Sequence, residues 1–186
     1  MKRIAILGGS YDPPHAGHLH AARLALSKMD FDELWVMVAL NPLKPSSTSA
    51  SDRLVMAKLA FKGLKKVKVS DFEIKNKIRY TCDTLAALPR TNYYTLIIGS
   101  DLVPQFPKWK NYRQLGAMQE FVIIIRPGHA LRKTDLRYFK HFTLLRGKLD
   151  VSSTQIREAL RKGKPINSVP KPVLAYIRKK KLYASK

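Results

Sequence analysis

Apolar runs and helix-patterned stretches alternate along the chain. Arg3–Leu7 (RIAIL), Glu33–Leu40 (ELWVMVAL), Tyr93–Gly99 (YYTLIIG) and Glu120–Ile125 (EFVIII) are apolar at successive positions. Successive residues of a strand point to opposite faces, so such runs suit strands covered on both sides. KVKVS (66–70) and HFTLL (141–145) read as shorter strands. Leu19, Ala22, Leu26 and Met29 recur at helical spacing after the first strand. A second helix is expected through RLVMAKLAF (53–61), capped by Ser51 or Asp52, and a third in YTCDTLAALP (80–89). The intervening DFEIKNKIR (71–79) reads as a charged loop. Two helices close the chain, one from about Ser153 and one in PVLAYIRKKKL (172–182).

Doubly apolar strands separated by helices predict an α/β fold: a doubly wound parallel sheet with helices on both faces, spanning 1–186 as a single domain. Ligands of such sheets sit at the carboxyl ends of the strands. Residues 8–18, 41–51, 99–101 and 126–128 are all expected there, although they are far apart in sequence.

The first of these segments, GGSYDPPHAGHL (8–19), carries the strongest chemistry. Gly8, Gly9 and Ser10 can present backbone N–H groups to a phosphate, and the helix starting near Gly17 or His18 adds its positive end. His15 and His18 add side-chain donors. The lysine of a P-loop and the third glycine of a dinucleotide fingerprint are both missing. No third ligand follows that would make the histidines a zinc site, so no metal ligand is assigned. The second motif is DVSSTQIREAL (150–160). Ser152 and Gln155 fit a capping box, while Ser153, Thr154 and Arg157 on the first turn make a second phosphate clamp. His20 is expected to face solvent, His129 and His141 to lie in loop or edge positions, Cys82 to be packed, and Asp71 and Glu73 to be solvated.

Composition narrows the picture further. A hydrophobic fraction of 45% supports a sizeable core. One cysteine excludes an internal disulfide and a multi-cysteine zinc site, and fits a cytoplasmic protein. No apolar run reaches the ~20 residues needed to span a bilayer, so no membrane partner is expected. Thirty-five Lys and Arg against 13 Asp and Glu give a net charge of +22, and no acid follows Glu158. Such a field attracts anions, from nucleotides to nucleic acid. No nucleic-acid-binding signature accompanies the charge, which favours a solvated basic surface. The pattern is compatible with a monomer or a homo-oligomer.

The two phosphate motifs together resemble the nucleotidyltransferase superfamily marked by His-x-Gly-His and Ser-Ser-Thr-x-Ile-Arg. NPLKP, RLVMAKLA, VSDFEI, YTCDTLAAL, LIIGSDLVPQFPKWKNY, VIIIRPG and VLAYIRKKKLY follow in order. That order is similar to the nicotinate-nucleotide adenylyltransferase family, over nearly the whole chain. The resemblance implies a Rossmann-like fold and transfer of AMP from ATP to nicotinate mononucleotide in NAD biosynthesis, with Mg²⁺ held mainly by the ATP phosphates. On this resemblance His18 faces the α- and β-phosphates, with His15 beside it. Arg157 with Ser153 or Thr154 takes the leaving phosphates, and Gly8, Gly9 and Ser10 offer N–H groups. Asp101 accepts from a ribose hydroxyl, Lys44 approaches the acceptor phosphate, and Thr81 and Trp109 border the nicotinate ring. The family commonly has Gly and Ser where Ile78 and Arg79 stand here, which suggests Arg79 as a partner for the nicotinate carboxylate. Two alternatives are a sister enzyme acting on nicotinamide mononucleotide or another phosphate acceptor, and a basic nucleic-acid-binding protein on the same fold.

Overall fold

All six apolar runs become strands: β1 (Arg3–Gly9), β2 (Glu33–Val38), β3 (Val67–Ser70), β4 (Tyr93–Gly99), β5 (Glu120–Ile125) and β6 (His141–Arg146). The structure, a computed structural model, describes residues 1–40 and 46–184. The strands form one parallel sheet in the order β3-β2-β1-β4-β5-β6. β1 lies at its centre, with Leu7 paired to Val36 on one side and to Ile97 on the other. The chain winds outward from β1 to β3, returns to β4 beside β1, and winds outward the other way. The switch point therefore lies between β1 and β4.

The alternation along the strands divides the core in two. Ala5, Leu7, Ile97, Val122 and Ile124 pack on one face with α1 (Ala16–Lys28), α2 (Ala50–Phe61), α7 (Ser153–Arg161) and α8 (Lys171–Lys179). Ile6, Leu96, Ile98, Phe121 and Ile123 pack on the other face, against the segment between β4 and β5. Each inner strand is thus buried on both sides, which is why its sequence lacks polar alternation. The edge strands differ: β3 has no fully buried residue, and β6 leaves Phe142 and Leu144 exposed.

Three local features depart from expectation. The cap of α2 is Ser49, whose hydroxyl accepts from the Asp52 N–H at 3.0 Å, rather than Ser51 or Asp52. Ser49 to Asp52 has capping-box spacing, which the residue nearer the apolar run concealed. The charged loop contains a single helical turn, α3 (Phe72–Lys75), that tucks Phe72 against the second core. α4 (Thr81–Ala87) follows as expected, but Ser100–Lys108 then forms a 3₁₀ helix. Pro104 and Pro107 lie inside it and lack the N–H groups that an α ladder needs. α5 (Tyr112–Met118) and the one-turn α6 (Lys133–Leu136) complete the element list.

Phe106, on the 3₁₀ helix, organises the second core, with ring centroids of Phe139 at 4.3 Å and of Trp109 and Phe121 at 5.5 Å. Gly116 of α5 lets the chain after α6 pass in contact: the Lys140 N–H donates to its carbonyl at 2.8 Å, and a Cβ there would collide with the Tyr138 carbonyl oxygen. Backbone cannot move aside as a flexible side chain does. Gly116→Ala is therefore expected to destabilise the fold by roughly 1–3 kcal/mol, as overpacking does. Thermal unfolding followed by circular dichroism checks this, and an unchanged melting temperature would contradict the tight packing.

Candidate active site

The turn leaving β1 is built to keep its backbone exposed and still. Tyr11 sits at φ 52, in the left-handed region that bulky residues adopt only under constraint. Its ring is buried and its hydroxyl donates back to the Leu7 carbonyl at 2.6 Å. Buried Arg53 of α2 donates from Nη1 to the Ser10 carbonyl at 2.9 Å and to the Ala39 carbonyl at 2.8 Å. These bonds clamp the ends of β1 and β2 from behind. On the open side, a Cβ at Gly8 would meet no atom within 4 Å, so its absence leaves room at the cleft.

α1 begins at this turn with His15 as its N-cap residue. The His15 N–H donates to His18 Nδ1 at 3.2 Å, and the two rings stack with centroids 3.9 Å apart. Tyr11 supports His18 from the other side, at 4.8 Å between centroids. With Nδ1 accepting, the proton of a neutral His18 resides on Nε2. Gly17 fits because a Cβ there would approach the His15 ring to 3.0 Å.

α7 closes over the same turn. Ser152 caps it by accepting from the Gln155 N–H, as its capping-box spacing predicts. Ser153 Oγ donates to the Pro13 carbonyl at 2.9 Å. Arg157 donates from Nη1 to the Asp12 carbonyl at 2.7 Å and from Nη2 to Thr154 Oγ1 at 3.2 Å. The two sequence motifs, about 140 residues apart, are thus bonded to each other directly. Asp101, past the end of β4, pairs with Arg126 at 3.1 Å, and Arg126 also donates to Asp150 Oδ1 at 3.1 Å and the Val151 carbonyl at 2.9 Å. One guanidinium joins the ends of β4 and β5 to the approach to α7.

These groups line a cleft of about 460 Å³, within the range of small-molecule sites. Gly8, Gly9, Ser10, His15, His18, Asp101, Ser153, Thr154 and Arg157 all reach it. So do His129 and His20. His20 was expected to face solvent; instead its Nε2 accepts from the Lys148 N–H at 3.2 Å, because the segment before α7 passes over α1. Of the carboxylates that line the cleft, Asp101 and Asp150 are tied to Arg126, and Asp12 accepts from Ser47, Thr48 and Tyr183. Among the described residues no group of three or more His, Cys, Asp or Glu side chains could hold a metal ion.

A second cavity of about 170 Å³ adjoins the first, sharing Gly8, Gly9, Ser10, Ile97, Ile98 and Leu102 with it. Arg79, Thr81 and Trp109 line it, together with Tyr80, Lys110 and Glu73. Trp109 ends the 3₁₀ helix and leans on Phe106, leaving the rest of its ring for the cavity. Lys110 pairs with Asp83 at 2.9 Å and sits over the Tyr80 ring. Arg79 is exposed and makes no ion pair among the described residues. Glu73 is not the solvated loop carboxylate expected: it is buried by the α3 turn and accepts from Thr84 Oγ1 at 2.8 Å. Burial pushes its pKa above the usual carboxylate range, against the opposing pull of its hydrogen bonds from Thr84 and the Leu40 backbone. Cys82 is partly buried, and burial together with Asp83 pushes its thiol up, away from an activated state. Lys44 lies outside the described residues. Sequence reasoning assigned no role to Arg126, Asp12 or Arg53, because an ion pair between distant residues or a side chain bonded to a distant carbonyl leaves no local pattern. RPG after a strand run was the one available hint of Arg126.

Comparisons with known proteins agree with this geometry. A family described as Cytidylyltransferase-like matches residues 6–159. A Halalkalibacterium halodurans protein named probable nicotinate-nucleotide adenylyltransferase is 40% identical over 193 residues, covering 98% of this chain and 92% of its own. One of that name from Bacillus cytotoxicus is 34% identical and covered completely, as is this chain. The solved Plasmodium falciparum nicotinic acid mononucleotide adenylyltransferase superimposes with TM-scores of 0.84, complexed with NaAD, and 0.82, complexed with APC. Both comparisons are at 25% identity and cover 98% of each chain. The chain belongs to the nicotinate-nucleotide adenylyltransferase family, within the cytidylyltransferase-like nucleotidyltransferases.

Proposed function

We infer that this protein transfers AMP from ATP to the phosphate of nicotinate mononucleotide, forming nicotinate adenine dinucleotide and releasing pyrophosphate. The carrying observation is that two cavities meet at one turn: the cleft with His18 and Arg157 and the pocket with Thr81 and Trp109 share Gly8–Ser10. An α-phosphorus held at that junction is reachable from both sides.

An oxygen of the acceptor phosphate attacks the α-phosphorus, and the bond to the β-phosphate bridging oxygen breaks. The attacking phosphate is already ionised, so no strong base is required, and catalysis consists of alignment and charge stabilisation. His18 Nε2–H donates to the α-phosphate as charge develops, with His15 fixing its ring. Arg157 has five N–H donors, of which the structure commits few, and the rest meet the β- and γ-phosphates with Ser153 and Thr154. Gly8, Gly9 and Ser10 offer backbone N–H groups, and Asp101 accepts from the ribose while Arg126 holds it in place. Lys44 takes the acceptor phosphate. Trp109 stacks on the nicotinate ring, and Thr81 and Arg79 meet its carboxylate. Arg157, Ser153 and Thr154 hold the ATP phosphates, and a Mg²⁺ ion bound mainly by those phosphates would supply charge neutralisation there. We place the reaction in the cytoplasm, where the lone Cys82 stays reduced; no helix among the described residues is long and apolar enough to cross a membrane.

Offered ATP, Mg²⁺ and a choice of acceptors, the purified chain is expected to release pyrophosphate fastest with nicotinate mononucleotide. Fastest release with nicotinamide mononucleotide would keep the phosphate machinery and overturn the assigned pocket. His18→Ala is expected to cost about 3 kcal/mol of transition-state binding, like a lost oxyanion donor; steady-state turnover near the parent's would remove His18 from that role. Arg79→Ala is expected to shrink the ratio of kcat/KM for the acid over the amide acceptor, and an unchanged ratio would take Arg79 out of the pocket. Arg126→Ala is expected to raise KM for ATP by about tenfold, the worth of one hydrogen bond to a charged group, with KM for the acceptor little altered.

A further inference from the structure

Asp12 is buried, lines the ATP cleft, and gathers bonds from three distant parts of the chain. Its Oδ2 accepts from the Ser47 N–H at 2.6 Å. Its Oδ1 accepts from Thr48 Oγ1 at 2.7 Å and from the Tyr183 hydroxyl at 2.7 Å. Its backbone carbonyl holds Arg157. A carboxylate is costly to bury unless its lone pairs are met by donors. Here those donors come from the segment after β2, entered three residues after Lys44 in sequence, and from the end of the chain.

Tyr183 lines neither cavity. It is buried, with its hydroxyl 3.9 Å from Met56 Sδ, and is carried back to Asp12 by an unusual path. After α8 the backbone turns at Lys181 (φ 51) and Tyr183 (φ 64), both in the left-handed region. Non-glycine residues adopt that conformation at a cost, so it persists only where surrounding contacts over-determine it. Burial and the neighbouring Asp12 push the phenol's pKa up, keeping it a protonated donor.

We propose that Tyr183 is a positioning residue for the transfer reaction, acting from outside the cleft: its hydroxyl fixes Asp12, whose carboxylate holds the 47–48 segment and whose backbone carbonyl holds Arg157. The proposal rests on the reading of the cleft as the ATP site. An acid-free tail would then have a catalytic consequence without touching substrate. Loss of the hydroxyl leaves Oδ1 one donor short, and Asp12 can shift or draw in water, loosening its hold on the 47–48 segment and on Arg157.

Tyr183→Phe keeps the ring and removes only the hydroxyl. Three quantities decide the matter, measured well below the melting temperature: the Kd for ATP by calorimetry, and kcat and KM with nicotinate mononucleotide. The expected result is a weaker Kd for ATP, a higher KM for both substrates, and kcat/KM lower by about tenfold, the worth of a hydrogen bond to a charged group. A lower melting temperature with all three quantities unchanged would show a tail that only stabilises, and would overturn the proposal. Thr48→Val removes the other donor to the same oxygen and leaves the tail intact, so it carries the test if Tyr183→Phe does not fold. Effects that pass through one carboxylate should not add: the double variant is expected to lose less than the product of the two single losses, and strict additivity would exclude the shared route. If the parent releases no pyrophosphate with nicotinate mononucleotide, the functional reading fails, while the comparison of ATP affinities still decides the role of Tyr183.

Discussion

β1 and β4 are neighbours whose chains leave in opposite directions, and the site depends on that divergence. Parallel pairing places both carboxyl ends at the same edge of the sheet. The connections then send α1 to one face and the 3₁₀ segment to the other, so the two elements diverge from the gap between the strand ends. The cleft under α7 opens on one side of this gap and the pocket beside Trp109 on the other. A reaction that joins two phosphates needs such a place, where two anionic substrates can be held by different walls and still meet.

Charge is distributed to match. The chain carries a large excess of cations, and several of its acids serve as ties within the fold. Asp12 gathers the 47–48 segment, Arg157 of α7 and the tail; Asp52 takes the Ser49 cap and the Tyr176 hydroxyl. Glu33 is held by Lys2, Lys68 and the Trp35 indole, and these bonds lower its pKa to about 2. Asp101 and Asp150 share Arg126. The excess of cations favours the approach of anions, and committing the acids in this way ties distant parts of the chain together. That commitment also makes these acids costly to lose, because each removal strands donors that were placed to meet it.

The strands were legible because burial on both faces writes itself into consecutive residues. β1, β2, β4 and β5 needed no neighbour to be recognised. The phosphate motifs were legible because helix N-termini and glycine turns act through residues adjacent in sequence; the Ser152 cap and the His15–His18 contact are local events. Glu73 was misread for the complementary reason. Its own stretch is charged, and only the α3 turn and Thr84 place it inside. His20 looked solvent-facing on its helix until the 147–151 segment was laid across it. Arg126 and Asp12 were placed near the strand ends by their segments, but their partners, 24 and 35 or more residues away in sequence, were not legible.

The sequence by itself therefore determined what short-range physics can encode: the alternation that makes a doubly covered parallel sheet, the caps that start α1 and α7, and the residue types able to hold phosphate. Only the tertiary structure decided which of those residues share a wall. It brought the Ser153 turn onto Pro13, joined two cavities at Gly8–Ser10, and returned Tyr183 to Asp12. Those decisions depend on where strands end and how helices cross them, and distances between such ends follow from packing the whole chain.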